Sequence, residues 1–318
     1  MDVLRVATRK SPLALAQTAI AVAAIESRTR TACEIVGITT RGDNLQHRSL
    51  SAIGGDGVFS KELQQALLDG RADAAVHSLK DLPSELTPML STGAVLERGP
   101  ACDVLLSRDN RYKSIEALPL GAVVGTGSPR RASQLRAVRA DLQVRDVRGN
   151  VDTRVRKLLD GEYDALVLAL AGVQRLGLLA QLGGGCALDA GVMVPAPGQG
   201  AIFVQCRADA QAVLGIIMEL NDAPTALAVA MERAFLQALG SGCTVPAGCL
   251  VNVGAGGWQM QAFIGAPDGS TVLRRSIEGA QRDAPAAITR AREVAEEMLS
   301  AGGRELLADT IAASRRPA

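Results

Sequence analysis

Short apolar runs alternate with amphipathic stretches over the first two thirds of the chain. The run Val3-Leu4-Arg5-Val6-Ala7 predicts a strand. Ser11 then suits a helix N-cap and Pro12 the first helical position, so a helix is predicted over 12–26. The same grammar returns at Ala122-Val123-Val124, followed by Gly125-Thr126-Gly127, Ser128 as cap and Pro129 as first helical residue. A second pair of segments matches more closely: Leu67-Leu68-Asp69-Gly70-Arg71-Ala72-Asp73-Ala74 and Leu158-Leu159-Asp160-Gly161-Glu162-Tyr163-Asp164-Ala165. In each, a helix ends at a glycine and a buried strand follows, Ala74–Val76 in one and Ala165–Leu168 in the other. Helix-glycine-strand is a common phrase of α/β proteins, but two like halves account for both pairs at once.

Strands alternating with helices predict mainly parallel sheets covered on both faces, with ligands bound beyond the carboxyl ends of the strands. Two such halves would face each other across a cleft. Arg98-Gly99-Pro100, within Glu97–Asp103, suits one hinge and Pro195-Ala196-Pro197-Gly198 a second crossing. After Asn221-Asp222-Ala223-Pro224 the pattern changes. A long helix, a glycine-rich loop, strands near 250–253 and 259–264, a Pro267-Asp268-Gly269 turn, a strand from Thr271 and a helix over 285–299 predict a smaller α+β unit. The expected division is therefore 1–98 with 198–218, 103–194, and 222–318.

Composition narrows the chemistry. A formal net charge of +1 over 318 residues argues against a surface wholly built for nucleic acid or anionic lipid. One Trp, two Tyr and four Phe leave little for base stacking, and two histidines leave little for a histidine-based metal centre. Six cysteines without a C-x-x-C pair suit a reducing cytosol. Arg5, Arg9 and Lys10 precede an apolar stretch over 13–25 that could pass for a signal peptide, but Gln17 and Thr18 interrupt it, and a strand feeding a helix is the better reading. No run approaches the ~18 apolar residues of a membrane span.

The neutral total conceals a basic region. Residues 125–160 hold nine basic side chains against four acidic ones. For Arg136, Arg139, Arg156 and Lys157 a solvated helix face is the expectation. Arg130 and Arg131 differ, because the first turn of a helix disfavours cations unless an anion is bound there. Ser128-Pro129-Arg130-Arg131 thus reads as an anion clamp, and Arg9, Lys10 and Ser11 repeat the arrangement in the first half. Arg148, after a strand near 144–147, and Arg154, on a helix capped near Asn150, are expected to approach the same cleft. Ala75-Val76-His77-Ser78-Leu79-Lys80-Asp81-Leu82-Pro83 is a buried strand leaving its sheet where chemistry collects. Lys80 and Asp81 are either an exposed pair entering a proline turn or a functional pair, with Asp81 ionised among arginines and able to stabilise a developing cation. His77 reads as a satisfied strand residue. Composition alone does not single out Cys243. The same features would serve a non-catalytic binding protein for a small organic anion, in which Cys243 has no role, and the basic segment alone would suit a nucleic-acid binder.

Five motifs taken together resemble the porphobilinogen deaminase (hydroxymethylbilane synthase) family along essentially the whole chain. They are Ala7-Thr8-Arg9-Lys10-Ser11-Pro12-Leu13-Ala14, Ala75 through Pro83, Gly125 through Arg131, Val147-Arg148-Gly149-Asn150 with Thr153-Arg154, and Gly242-Cys243-Thr244-Val245-Pro246. The resemblance implies an α/β fold of two periplasmic-binding-protein-like (type II) domains flanking a cleft, plus a small C-terminal α+β domain. It implies a cytoplasmic enzyme, expected to be a monomer with no nucleic-acid or membrane partner. Such an enzyme condenses four porphobilinogens head to tail into a linear tetrapyrrole and releases ammonia. It also implies a dipyrromethane cofactor on a thioether to Cys243. By motif, Lys80, Asp81, Thr126, Ser128, Arg130 and Arg131 would hold the cofactor; Arg9, Ser11, Gln17, Arg148, Arg154 and Arg175 would orient substrate; and Asp81 would be catalytic. Each pyrrole carries two carboxylates, which accounts for the arginines. One segment departs from the family: near Ile53–Gly57, where many members carry lysines, this chain has Ala52 and Asp56.

Overall fold

The computed structural model describes residues 3–40, 60–83, 87–240, 245–280 and 283–308. Along the described chain the elements are β1 (Leu4–Arg9), α1 (Pro12–Thr29), β2 (Cys33–Ile38), α2 (Lys61–Leu68), β3 (Ala74–Ser78), β4 (Ala94–Val95), β5 (Asp103–Leu106), β6 (Val123–Gly125), α3 (Pro129–Val138), β7 (Gln143–Arg145), α4 (Val151–Leu159), β8 (Ala165–Ala169), α5 (Leu170–Arg175), β9 (Cys186–Ala187), β10 (Ile202–Cys206), α6 (Gln211–Met218), α7 (Ala223–Ala238), β11 (Ala247–Gly254), β12 (Gly257–Gly265), β13 (Val272–Gly279) and α8 (Ala284–Met298). The chain divides into two compact units, one of Met1–Gly99 with Gly200–Leu227 and one of Pro100–Gln199 with Ala228–Ala318.

The first unit is built on a five-stranded sheet in the order β2-β1-β3-β10-β4. β1 runs parallel to β2 and β3, whereas β10 is antiparallel to β3 and β4. Leu4, Val6, Val76, Ile202 and Val204 form a core with Ala21 and Ile25 of α1 on one face, and Ala7 and Ala75 pack with Leu63 and Leu67 of α2 on the other. A strand covered on both faces reads as a continuous apolar run, which is why 74–76 carries no polar alternation. Each buried Leu, Ile or Val contributes about 1.5–3 kcal/mol relative to leaving it exposed.

The second unit repeats this plan with a five-stranded sheet in the order β7-β6-β8-β5-β9. Again three parallel strands lead, and an antiparallel strand, here β5, follows. Both sheets thus follow one plan, three parallel strands, then one antiparallel strand, then a short edge strand. The paired segments found in the sequence fall at equivalent places: α2 and α4 each run out at a left-handed glycine, Gly70 (φ 69°) and Gly161 (φ 83°), before β3 and β8. Ser11 and Ser128 cap α1 and α3 with side-chain oxygens that accept from Ala14 N and Arg131 N. Asn150 stands at the N-cap position of α4, but its side chain makes no capping bond.

The second unit also carries an antiparallel sheet in the order β11-β12-β13. This sheet is seated on α3. The Ser133 hydroxyl donates to Ala266 O at 2.6 Å and Arg136 to Pro267 O at 2.6 Å, so Arg136 is not merely a solvated residue. Arg274 lies 5.3 Å from the Phe263 ring centroid and donates to Gly191 O and Val192 O. Arg139, likewise expected on a solvated face, donates to Asp141 and to the carbonyls of Glu116, Leu118 and Pro119. Among the described residues no single helix is long and apolar enough to cross a membrane.

Candidate functional site

In the first unit, the polar residues picked out from the sequence gather at the carboxyl ends of β1 and β3. There Arg9, Ser11, Gln17, Ser78 and Asp81 line one cavity, walled by apolar atoms of Leu13, Ala14, Leu63 and Val76. Arg9 is the last residue of β1, and Ser11 starts α1, whose N-terminal N–H groups favour anions. Gln17 is buried on α1 and accepts the Ser78 hydroxyl at 2.9 Å, which fixes the wall between α1 and β3. After Ser78 the chain turns through a single 3₁₀ turn, Leu79–Asp81, which presents Lys80 and Asp81 half-buried. Asp81 faces the cavity and makes no hydrogen bond or ion pair to the described residues, so its carboxylate is available to a ligand. The family segment with Ala52 and Asp56 lies outside the described residues.

His77 corrects an expectation. It sits on β3 as predicted and is 6% exposed, but its Nε2 has no hydrogen-bond partner among the described residues. The residue also lines the cavity. Burial pushes its imidazole down to about 4, so the ring is neutral at pH 7.

In the second unit the clamp is built, but around a carboxylate that sequence reading missed. Asp103, the fully buried first residue of β5, accepts from Arg130 Nη1 at 2.7 Å and from Arg131 Nε and Nη2 at 3.0 and 2.8 Å. Burial alone would raise the Asp103 carboxyl, but the attraction and hydrogen bonds of the two arginines prevail and hold it well below the usual carboxylate range. Gln199 completes the set by donating to Asp103 Oδ1 at 2.9 Å and to Ala101 O at 2.7 Å. Two cations at a helix N-terminus therefore meet an anion from the protein itself. The signal was present in the sequence: a carboxylate opening the wholly apolar run Val104-Leu105-Leu106 must be buried, and a buried carboxylate needs partners.

One negative charge does not neutralise two arginines. The hydrogen bonds above engage Arg130 Nη1 and Arg131 Nε and Nη2. They leave Arg130 Nε and Nη2 and Arg131 Nη1 without a partner among the described residues. Spare donors and residual positive charge fit a ligand bearing carboxylates. Thr126 is buried beside them, its hydroxyl accepting from Ser128 N at 3.3 Å. The backbone there is close-packed: a Cβ on Gly127 would meet Asp146 Oδ1 at 2.7 Å and lie 3.8 Å from Arg148 Cζ, so Arg148 adjoins this loop. Arg148 pairs with Asp146 at 2.6 Å while remaining partly exposed, and Arg154 donates to Gly149 O at 2.8 Å. Arg175 ends α5, and burial lowers its guanidinium pKa. No described hydrogen bond joins it to the Thr126–Arg131 group. Cys243 lies outside the described residues.

A family model described as "Porphobilinogen deaminase, dipyromethane cofactor binding domain" matches residues 4–215, and "Porphobilinogen deaminase, C-terminal domain" matches residues 226–300. A porphobilinogen deaminase of Xanthomonas euvesicatoria is 44% identical over 310 residues, covering 97% of this chain and 100% of the relative. One from Brevibacillus brevis is 41% identical over 309 residues, covering 96% and 97%. Among solved structures, the periplasmic VFT2 domain of Bordetella pertussis BvgS aligns with a TM-score of 0.41 at 16% identity, over 69% of this chain and 86% of that one. An arginine-specific periplasmic binding protein of Salmonella typhimurium gives 0.40 at 13%, over 68% and 90%.

Proposed function

The chain belongs to the porphobilinogen deaminase family, and from that premise we propose which of its residues carry out the reaction. As a member it is an enzyme of tetrapyrrole biosynthesis with a dipyrromethane cofactor, joining porphobilinogen units with loss of ammonia. The observation that carries the assignment is the uncommitted Asp81 carboxylate in a cavity with Arg9 and the α1 N-terminus.

Arg9 and Ser11 take a substrate carboxylate, and Gln17, held by Ser78, keeps that wall in place. Asp81 then faces the pyrrole and stabilises the positive charge that grows as ammonia departs. A carboxylate in a half-buried site does this better than water, because its charge acts there through less screening solvent. Thr126, Ser128, Arg130 and Arg131 hold the cofactor's carboxylates, and Lys80 is given a cofactor-binding role by its motif. The spare donors of the Arg130 and Arg131 forks support that role. When bound, the cofactor supplies the nucleophilic pyrrole end on which the chain is extended. Arg148, Arg154 and Arg175 answer the two carboxylates added with each unit. Residues 222–318 form the attachment domain, with Cys243 as the thioether residue, and residues 1–98 with 198–218 and 103–194 form the two α/β domains. We read the protein as a monomer and as cytoplasmic, the second supported by six cysteines scattered without a C-x-x-C pair.

Purified protein given porphobilinogen is expected to release ammonia and a linear tetrapyrrole. Arg148→Leu and Arg154→Leu are expected to slow later additions more than the first, so that mass spectra accumulate species with fewer pyrroles. An unaltered distribution of chain lengths places these arginines off the path, and an inert wild-type protein overturns the reading.

A further inference from the structure

Among the described residues of the first unit, Nε2 of His77 is a buried polar atom without a hydrogen-bond partner. β3 pairs antiparallel with β10 so that His77 lies opposite Phe203, whose ring centroid is 6.4 Å away. The two-residue alternation of a strand puts His77 on the same face as Ala75, the face that packs with Leu63 of α2. Leucine or phenylalanine would fill such a place without burying an unmet nitrogen. Buried side-chain polar atoms are nearly always paired, and an unmade bond to one is costly. An orphan nitrogen on a ring that lines a cavity with Arg9 and Asp81 therefore points to a partner that arrives with the ligand.

The surroundings indicate which partner. The polar residues sharing the cavity with His77 are Arg9, Ser11, Gln17, Ser60, Ser78 and Asp81, and the Gln17 oxygen is already taken by Ser78. Arg9 and the α1 N-terminus favour an anion, and Asp81 favours the electropositive part of the same molecule. A neutral imidazole offers one N–H donor without adding charge. We propose that His77 is a substrate-contacting residue, its ring N–H donating to a carboxylate of the incoming pyrrole beside Arg9. This inference rests on the porphobilinogen reading and adds to it a specificity contact from the sheet. Filling the bond only when substrate is present makes it a device for recognition, because a pyrrole lacking that carboxylate leaves the nitrogen unmet.

The test compares His77→Leu and His77→Gln with the wild-type holoenzyme, using porphobilinogen. The cofactor mass is checked first, and KM and kcat are then measured separately. His77→Leu is expected to raise KM about tenfold with kcat changed less than about threefold, as for a lost hydrogen bond to a charged group. Its unfolding midpoint is expected to be unchanged or higher, since the orphan atom is gone. His77→Gln retains an N–H donor and is expected to lie nearer wild type. Should His77→Leu misfold, His77→Met and His77→Ala, which also lack the donor, carry the comparison, and a wild-type KM in either folded, loaded variant would overturn the donor role. A folded, loaded His77→Leu enzyme with wild-type KM overturns it as well. Wild-type turnover in the same assay separates the two levels: an inactive wild type overturns the enzymatic reading, and an unchanged variant beside an active wild type overturns the role of His77 alone.

Discussion

Asp81→Ala is expected to lower kcat by about 10²–10³-fold, the range seen when one preorganised group facing transition-state charge is removed. The fold is expected to survive. Asp81 is half-buried on a 3₁₀ turn and makes no hydrogen bond or ion pair with described residues, so its removal orphans no group among them. A substitution that breaks no described hydrogen bond or ion pair and leaves no packed apolar side chain missing is expected to shift stability by about 0.5 kcal/mol or less. Cofactor loading, read as intact mass, is expected to persist. A loss of stability or of cofactor in proportion to the loss of turnover would mean that Asp81 acts in packing or assembly, not in the reaction. Asp81→Asn separates shape from charge, and it is expected to be nearly as inactive as the alanine variant if charge is what matters.

Asp103→Asn is expected to have the opposite profile, with a large loss of stability throughout the second unit. Removing one partner of a buried ion pair costs about 3–5 kcal/mol, because it leaves charge buried without compensation, and here two guanidinium groups would be left. Urea unfolding followed by a probe in the second unit measures this. The pH dependence has a definite sign. The folded Asp103 carboxyl lies well below its unfolded value of about 3.9, so its contribution is fully present above that value and is lost as pH falls below it toward the folded value. Wild-type stability is therefore expected to drop over this acid range by an amount that the Asn variant does not show. Equal acid sensitivity in the two proteins would mean that Asp103 is not the anion holding Arg130 and Arg131 in place.

What the sequence disclosed was set by range along the chain. The caps at Ser11 and Ser128, the glycines ending α2 and α4, and the apolar runs of β3 and β8 are local chemistry, and each was legible within a dozen residues. The order of strands was not. β5 and β10 are the antiparallel members of their sheets, and nothing in Asp103–Leu106 or Ile202–Cys206 names β8 or β3 as neighbour. The Asp103 pairing was missed for the same reason, since it joins residues 27 and 28 positions apart across β5 and α3. A solvated helix face is the expectation for Arg139 from its charge alone, whereas it serves carbonyls of the preceding loop. His77 was read as satisfied because a pattern shows that a strand residue is buried, and only coordinates show whether its nitrogens have been met. The residues of the candidate site were recognised by motif, which carries long-range information that periodicity lacks.

The central claim is that this chain works as a self-primed polymerising enzyme whose primer is bonded to Cys243. Intact mass of the purified protein under denaturing conditions tests it most directly. The expected mass exceeds that of the polypeptide by one dipyrromethane, and the increment is absent from Cys243→Ser. A wild-type chain at its bare polypeptide mass that still converts porphobilinogen, or an increment that persists in Cys243→Ser, would contradict the account.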